Sequence, residues 1–429
     1  MSKVFSIKGN FFDCAANRKL QIRRNSYCIV KNGVSEGIFQ EIPAQYAGIK
    51  VTDYGSRLIM PGLVDLHTHA PQFSFRGTGM DLELLEWLYK YTFPEEARYE
   101  SNEYASQSYN LFVDELIQSS TTRAVVFGTI FRESTMLLME KLEQSGLITY
   151  VGKVNMDRNC PDYYQETAEQ SLRETERFIE NSERFHNTQP ILTPRFIPVC
   201  SDELMRGLAD IQAKTGIPIQ SHLSENRNEI QWVKSLNPDS RFYGDAYDIF
   251  GLFGGRCRTV MAHCVSSPDE EISLMAERGV YVAHCPNSNM NLSSGIAPAR
   301  KLLEHGIRVG LGSDLAAGQS INLFDEIVRA VQVSKLRWRY KDDTYRPISI
   351  IDAFYMATRG GGEFFGKVGS FDKGFDFDAL VIDDSRLRSM MEMDDEARFH
   401  RSLYLSHECE LCAKYVRGKK IRIRKNSSK

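Results

Sequence analysis

The chain has 429 residues, 42% of them hydrophobic and 25% charged, so it can bury a large core and is too long for one small domain. Its net charge of only −3 argues against binding to nucleic acid or to an anionic membrane surface. No apolar run approaches the roughly 20 residues of a membrane span. With no secretory leader and nine scattered cysteines, we predict a cytoplasmic protein with free thiols.

Short β-type segments separated by turns fill the first sixty residues of the chain. A similar pattern returns near the C-terminus in "DFDALVIDD" and "YVRGKKIRIR". These two ends resemble each other and differ from the middle of the chain. We therefore predict a small β-sandwich-like domain built from residues 1–60 and 370–429.

The middle of the chain alternates short runs rich in β-branched residues with helix-like segments such as "SPDEEISLMAERG". Eight such alternations across residues 61–369 predict an α/β fold, a (β/α)₈ TIM-like barrel, with a doubly wound sheet as the alternative. The barrel is favoured because polar residues fall at the ends of predicted strands, at the rim where barrel enzymes place their chemistry. These polar residues are His67, His69, His222, His263 and Asp314.

The segment "PGLVDLHTHAPQFSFRG" carries the first two of these histidines. In a strand, His67 and His69 point to the same side, so both imidazoles can converge on one ion. Alone they could equally be two polar residues of the rim. Together with the other three polar residues they predict a nitrogen and oxygen donor set that suits zinc, with iron or another divalent ion as the alternative.

Glu225 follows His222 by three residues in "HLSE". If the strand ends near His222, the Glu225 carboxylate can face the same pocket and move protons to and from a water at the metal. The alternative is an acidic residue that interacts with the N-terminus of the next helix. The neighbouring donor set favours the proton shuttle.

The motifs "PGLVDLHTH", "HLSE", "AHCV" and "GLGSD", in this order, resemble the amidohydrolase superfamily and, within it, the mononuclear deaminase-type branch. The longer stretches "GKVNMDRNCPDYY", "TPRFIPVCSDELM" and "HCPNSNMNLSSG" are similar to members of that branch that deaminate guanine. The resemblance implies hydrolysis of guanine to xanthine and ammonia by a homodimeric enzyme with one Zn²⁺ per chain, or Fe²⁺ as the alternative. The implied metal ligands are His67, His69, His222 and Asp314.

The resemblance also implies roles for the remaining candidate residues. Glu225 would be the general acid and base, and Asp314 would also accept a proton or hydrogen bond from the water. His263 would orient this water or the substrate rather than act as a full ligand, although the sequence leaves direct coordination open. The residues implied to hold the purine are Gln72, Arg195, Phe196, His222 and Glu225.

Three of these residues fit a purine by their own chemistry. Arg195 can donate to the O6 and N7 acceptors of guanine, Gln72 can donate and accept at one edge, and Phe196 offers an aromatic face. The alternative is that they are ordinary strand-end and packing residues.

Other functions remain open from the sequence alone. A related hydrolase could act on cytosine, an aminotriazine, a nucleoside or a cyclic amide, and a barrel without activity could serve as a scaffold. Lys153 lies on the third predicted strand rather than the fourth, where binuclear relatives carry a bridging lysine, so one metal is predicted. We expect His284 to form a pocket wall or to bond the substrate, and we assign no metal or redox role to Cys409 and Cys412.

Overall fold

A computed structural model describes residues 4–424. Its strands are β1 (Val4–Cys14), β2 (Leu20–Lys31), β3 (Val34–Phe39), β4 (Lys50–Pro61), β5 (Leu63–His69), β6 (Thr121–Phe127), β7 (Ile148–Gly152), β8 (Val154–Asn155), β9 (Thr188–Pro190), β10 (Thr193–Pro194), β11 (Ile219–Leu223), β12 (Thr259–His263), β13 (Tyr281–His284), β14 (Arg308–Leu311), β15 (Ala379–Asp383), β16 (Glu410–Val416) and β17 (Lys419–Ile421). Its helices are α1 (Leu84–Trp87), α2 (Phe93–Ala97), α3 (Asn102–Gln118), α4 (Arg132–Ser145), α5 (Ala168–Ser182), α6 (Asp202–Thr215), α7 (Arg227–Leu236), α8 (Asp245–Asp248), α9 (Asp269–Arg278), α10 (Pro286–Asn291), α11 (Ala299–Glu304), α12 (Leu323–Tyr340), α13 (Ile350–Tyr355) and α14 (Asp395–Tyr404). Among these helices, none is both long and apolar enough to cross a bilayer.

Eight parallel strands follow one another in chain order around a barrel: β5, β6, β7, β9, β11, β12, β13 and β14. The last strand meets the first where Leu311 pairs with Asp65. The gap between β9 and β11 is closed by Leu192, whose N–H donates to the Pro218 carbonyl at 2.9 Å and whose carbonyl accepts from the Gln220 N–H at 3.0 Å. The predicted (β/α)₈ barrel is therefore confirmed.

The barrel strands are buried because they are covered on both sides. Every residue of β5 and β6 is buried, since side chains fill the barrel on one side and helices pack on the other. Helix α6 shows how the outer layer is anchored. The Ser201 side chain accepts from the Leu204 N–H at its start, Leu208 and Ile211 face the core, and Gly216 ends the helix with a φ of 69°.

Both ends of the chain contribute to a second, seven-stranded sheet with the order β17-β16-β15-β4-β1-β2-β3. A β-bulge interrupts the pairing of β1 with β2 between Gly9 and Phe11, and bulges bend the strands that contain them. The sheet has an apolar core of its own, in which Phe11 contacts Phe371 edge-on and Phe377 contacts Tyr415. A second sheet built from both ends of the chain is consistent with the predicted composite unit, while its β-sandwich-like form and its limits at residues 60 and 370 stay predictions.

Buried charges join the terminal sheet to the barrel near the start of β6. The Arg123 guanidinium donates from Nε to Asp378 at 2.6 Å and from Nη2 to Asp376 at 2.8 Å. The Lys414 ammonium, on β16, donates to the carbonyls of Ile117 and Thr121 at 2.7 and 2.9 Å. The terminal sheet is thus fixed at the N-terminal face of the barrel, where contacts serve stability rather than chemistry.

Replacing Arg123 by Met should lower the free energy of unfolding by about 3 kcal/mol, because two carboxylates would lose a buried partner. Burial would raise the pKa of Asp376, but Arg417 and Arg123 outweigh it and hold that pKa below its usual value. The stability from this carboxylate is present above an ordinary pKa of about 3.9 and is lost as the pH falls through the lowered value. In urea unfolding, the difference in the free energy of unfolding between wild type and variant should therefore be constant near neutral pH and should shrink only in acid.

The matched control is Arg386→Met, which breaks the exposed ion pair with Glu410. It should cost no more than about 1 kcal/mol. Equal costs for the two variants would contradict the role given to Arg123.

Candidate active site

The polar residues predicted at the strand ends converge at the C-terminal face of the barrel. They belong to four different strands or the turns that follow them: His67 and His69 on β5, His222 on β11, His263 on β12, and Asp314 three residues beyond β14. The Asp314 N–H donates to the His67 carbonyl at 2.9 Å, which ties the last strand to the first. The structure thus brings these five side chains to one place, while their roles stay a prediction.

Four of the side chains present their donor atoms to one small volume. His67 Nε2 lies 3.2 Å from His69 Nε2 and 3.2 Å from Asp314 Oδ1. His69 Nε2 lies 3.4 Å from His222 Nε2 and 3.4 Å from Asp314 Oδ1. Ligand atoms at about 2.1 Å from one tetrahedral ion are roughly 3.4 Å apart. The spacing therefore suits a single divalent cation.

His263 stands at the edge of the same group. Its Nε2 lies 3.7 Å from Asp314 Oδ2 and 3.4 Å from Glu225 Oε2. Two overlapping groups could hold an ion, namely His67 with His69 and Asp314, and His67 with His222 and His263. The role of His263 as an orienting residue rather than a ligand accordingly stays a prediction.

The protonation of these rings suits a cation. His222 Nδ1 lies 2.6 Å from the Arg195 carbonyl, and His263 Nδ1 lies 2.9 Å from Asn289 Oδ1. If each Nδ1 carries the proton, the Nε2 lone pair of each ring faces the site. Burial holds the pKa of His69 well below the usual range, so this ring is neutral near pH 7. Neutral imidazoles around a carboxylate are the donors that zinc prefers.

The backbone around the site is held in unusual conformations. Ser224, His263 and Asp314 have φ values of 47°, 76° and 43°, in the left-handed region that side chains normally avoid. Such strain is found where a fold fixes functional side chains. Gly312 lies under His67, and a Cβ atom there would be 2.8 Å from the His67 Cβ, so the close approach of β14 to β5 requires glycine.

Asp65 supports the group of donor atoms and was not singled out from the sequence. Its Oδ1 accepts from the His67 and Ser313 N–H groups at 3.1 and 3.0 Å, and its Oδ2 accepts from the Ser313 hydroxyl at 2.6 Å. Burial raises the pKa of Asp65 to about 6. The sequence could have pointed to Asp65, because it is an acidic residue inside the apolar run "LVDLH". A carboxylate buried in such a strand needs hydrogen-bond donors around it.

Glu225 lies beside the donor set, as the sequence predicted. Its Oε1 accepts from the Ser294 hydroxyl at 3.1 Å, and its N–H donates to Glu229 at 3.1 Å. Burial, with a smaller contribution from Asp314, raises the pKa of Glu225 to about 8. A carboxyl group with a raised pKa in a cleft can take up and return a proton near neutral pH.

A cleft with polar and apolar side chains in its wall adjoins the donor set. Gln72, Arg195 and Phe196 all line this cavity, so the structure brings the predicted substrate residues to one place. The apolar part of the wall was missed in the sequence analysis, because its members lie in a helix and loops rather than at strand ends: Leu84, Trp87, Leu88, Leu292 and Ala317.

Glu96 is the other residue that sequence reasoning missed. This fully buried carboxylate on α2 accepts from Gln72 Nε2 at 2.8 Å, from the Tyr164 hydroxyl at 2.9 Å, and from both terminal nitrogens of Arg195 at 2.5 and 3.1 Å. Glu95 beside it is paired with the exposed Arg98. Nothing in "FPEEARY" tells the two acids apart.

Three other candidates, Lys153, His284 and the pair Cys409 and Cys412, do not line the cavity. The Lys153 ammonium donates to Glu166 at 2.6 Å, which explains its burial without a metal. His284 is buried and is not among the lining residues, so the expectation that it forms a pocket wall is not met. Cys409 and Cys412 are half-buried free thiols.

Comparison with known proteins defines the class of this barrel and its site. The sequence pattern of the Amidohydrolase family matches residues 58–401, and the chain belongs to that family. Guanine deaminase from Dictyostelium discoideum is 40% identical over 381 residues, which cover 87% of this chain and 84% of that protein. Guanine deaminase from Escherichia coli K12 is 39% identical and covers 78% of this chain and 75% of that protein.

A solved structure agrees with the sequence relatives. Guanine deaminase from C. acetobutylicum, with guanine bound in its active site, has a TM-score of 0.94 and 45% identity to this chain. The match covers 98% of this chain and all of that one. The likeness therefore includes the terminal sheet as well as the barrel.

Proposed function

We propose that this protein is a guanine deaminase that hydrolyses guanine to xanthine and ammonia. The observation that carries the proposal is the convergence of a metal-suited donor set, the Glu225 carboxyl group and the Gln72–Arg195 pair on one cavity. Guanine deaminases that are similar over most of this chain support the choice of substrate.

We propose that His67, His69, His222 and Asp314 hold one Zn²⁺ ion, with Fe²⁺ as the alternative. The fit is supported by four donor atoms at ligand spacing and by histidine rings whose protonation leaves lone pairs facing inward. Such an ion supplies Lewis acidity and lowers the pKa of a water at the site towards neutrality.

The residues of this chain account for the remaining steps. Glu225 takes a proton from the attacking water and delivers it to the ring nitrogen next to C2, while the water oxygen bonds to C2. The bond from C2 to the amino group then breaks, and the nitrogen leaves as ammonia with a second proton from the same oxygen. In this scheme Asp314 and His263 orient the water, and Glu225 is the only proton carrier.

The binding residues fix which carbon faces the water. Arg195 donates to the purine acceptors O6 and N7, Gln72 bonds one edge of the ring, and the Phe196 ring, held edge-on by Trp232 at 6.2 Å, provides an apolar face. The complete set of catalytic groups argues against a scaffold without activity.

Removal of the metal provides the direct test. The purified protein should release one ammonia per guanine consumed, and dialysis against a chelator should abolish release because the donor set then lacks its cation. Elemental analysis should find one ion per chain, and restoring activity with zinc or ferrous ion alone decides the metal. Cytosine, adenosine and an aminotriazine serve as comparison substrates. A protein that holds stoichiometric metal and releases no ammonia from guanine would contradict the proposal.

We further propose that the enzyme is a cytoplasmic homodimer, and that residues 1–60 with 370–429 form one domain and residues 61–369 the other. Light scattering reports the mass of the assembly. Side chains on α12 support the dimer, since Leu336 and Tyr340 are exposed on it.

A further inference from the structure

We propose that Glu96 is a positioning residue that sets the substrate specificity of the cavity through Arg195 and Gln72. The inference rests on the proposed function. Glu96 is buried and does not itself line the cavity, whereas both of these partners do. Any effect of Glu96 on the substrate must therefore pass through the side chains that it holds.

The four hydrogen bonds to Glu96 fill both of its oxygens. Oε1 accepts from Gln72 and from Arg195 Nη2, while Oε2 accepts from Tyr164 and from Arg195 Nη1. The paired bonds hold the Arg195 guanidinium plane in one orientation. The centre of the Phe93 ring lies 5.2 Å from the guanidinium carbon of Arg195. The long Arg195 side chain is thus ordered before any substrate arrives, which lowers the entropy cost of binding.

Glu96 also decides which end of the Gln72 amide faces the cavity. An ionised carboxylate only accepts hydrogen bonds, so the Gln72 amino group must face Glu96. The Gln72 oxygen is then left as an acceptor for the substrate. Arg195 offers only donors. The cavity therefore presents fixed donors on one residue and a fixed acceptor on another.

This arrangement favours a purine with an oxo group at C6. Such a base offers the O6 and N7 acceptors to Arg195 and a ring N–H to an acceptor. A 6-aminopurine would place the N–H groups of its amine against the donors of Arg195. A substrate that leaves buried hydrogen-bond donors unpaired is strongly disfavoured. Glu96 thus contributes to selection although it touches no substrate.

The charge of Glu96 has a second consequence. The Glu96–Arg195 pair is buried and neutral overall, so the cavity does not present a free positive charge to a purine. The product xanthine is a weak acid that forms an anion above neutral pH. With Glu96 ionised, that anion gains little from Arg195, and the product is released rather than retained.

The test compares Glu96→Gln with Glu166→Gln. The second variant breaks another buried carboxylate–cation pair, with Lys153 at 2.6 Å, away from the cavity. In Glu96→Gln, kcat/KM for guanine should fall about 100-fold, mainly through KM, because charge-assisted bonds to Arg195 are lost. The ratio of guanine KM to xanthine Ki, measured above neutral pH, should rise at least about tenfold, since the free guanidinium attracts the anion. Glu166→Gln should leave that ratio and the metal content unchanged.

The outcomes separate the two proposals. Wild-type protein that releases no ammonia from guanine overturns the proposed function and this inference with it. Active wild type with an unchanged ratio in a folded Glu96→Gln variant overturns only the inference. If Glu96→Gln does not fold, Tyr164→Phe removes one bond from Glu96 without removing a charge. It should raise KM about fivefold with kcat unchanged, and an unchanged KM would overturn the inference.

Discussion

Replacing Glu225 by Gln should lower kcat for guanine by about 1,000-fold while the protein keeps its metal, because the substitution removes the proton carrier and leaves the donor set intact. Glu225 Oε2 lies 3.4 Å from His263 Nε2, and the carboxyl group faces the cavity from outside the group formed by His67, His69 and Asp314. Stopped ammonia assays and elemental analysis on the same preparation separate catalysis from metal binding.

Two matched variants sharpen this result. Glu271→Gln neutralises another buried carboxylate, which accepts from Ser224 and Gly244 and does not line the cavity, so activity should stay within a few-fold of wild type. Ser294→Ala removes only the 3.1 Å bond to Glu225 and should cost about tenfold. If Glu225→Gln kept more than a tenth of wild-type activity, the general acid and base would have to be another group, and the other carboxylates in the cavity wall are Glu229 and Asp314.

The residues predicted from the sequence share one physical property. His67, His222 and Asp314 follow short apolar runs, and the ends of parallel strands meet at one face of a barrel whatever their distance along the chain. The two-residue period of a strand also places His67 and His69 on one side. The number of strands and the positions of their ends are therefore enough to predict that these side chains lie close together.

Residues that act through tertiary contacts could not be found in this way. Glu96 and Glu95 are neighbours on a short helix, and only packing against Arg195 and Tyr164 decides which of them is buried. The same holds for the seam between barrel and terminal sheet. Arg123 lies inside a predicted strand, and its partners lie more than 250 residues away along the chain, so no local pattern pairs them.

Replacing Asp314 by Asn should empty the metal site and abolish turnover. Burial opposes a charged Asp314, but the facing rings of His67 and His263 outweigh it and hold the pKa of Asp314 well below its usual range. Asp314 is therefore the negative charge of the donor set, and its Oδ1 lies within 3.4 Å of two histidine nitrogens. An amide of the same shape keeps the packing and loses that charge, so metal affinity should fall by more than about 100-fold.

Asp65→Asn is the control, because Asp65 bonds the backbone of His67 and Ser313 rather than facing the donor atoms. Its effect on metal affinity should be smaller, about 10- to 100-fold, as for other groups that orient ligands. His263→Asn completes the comparison. If His263→Asn keeps its metal and Asp314→Asn loses it, the proposed ligands His67, His69, His222 and Asp314 are supported. If both variants lose the metal, His263 is a ligand as well. An unchanged metal affinity in Asp314→Asn would exclude Asp314 from the set, since loss of the only carboxylate among the proposed ligands should weaken binding.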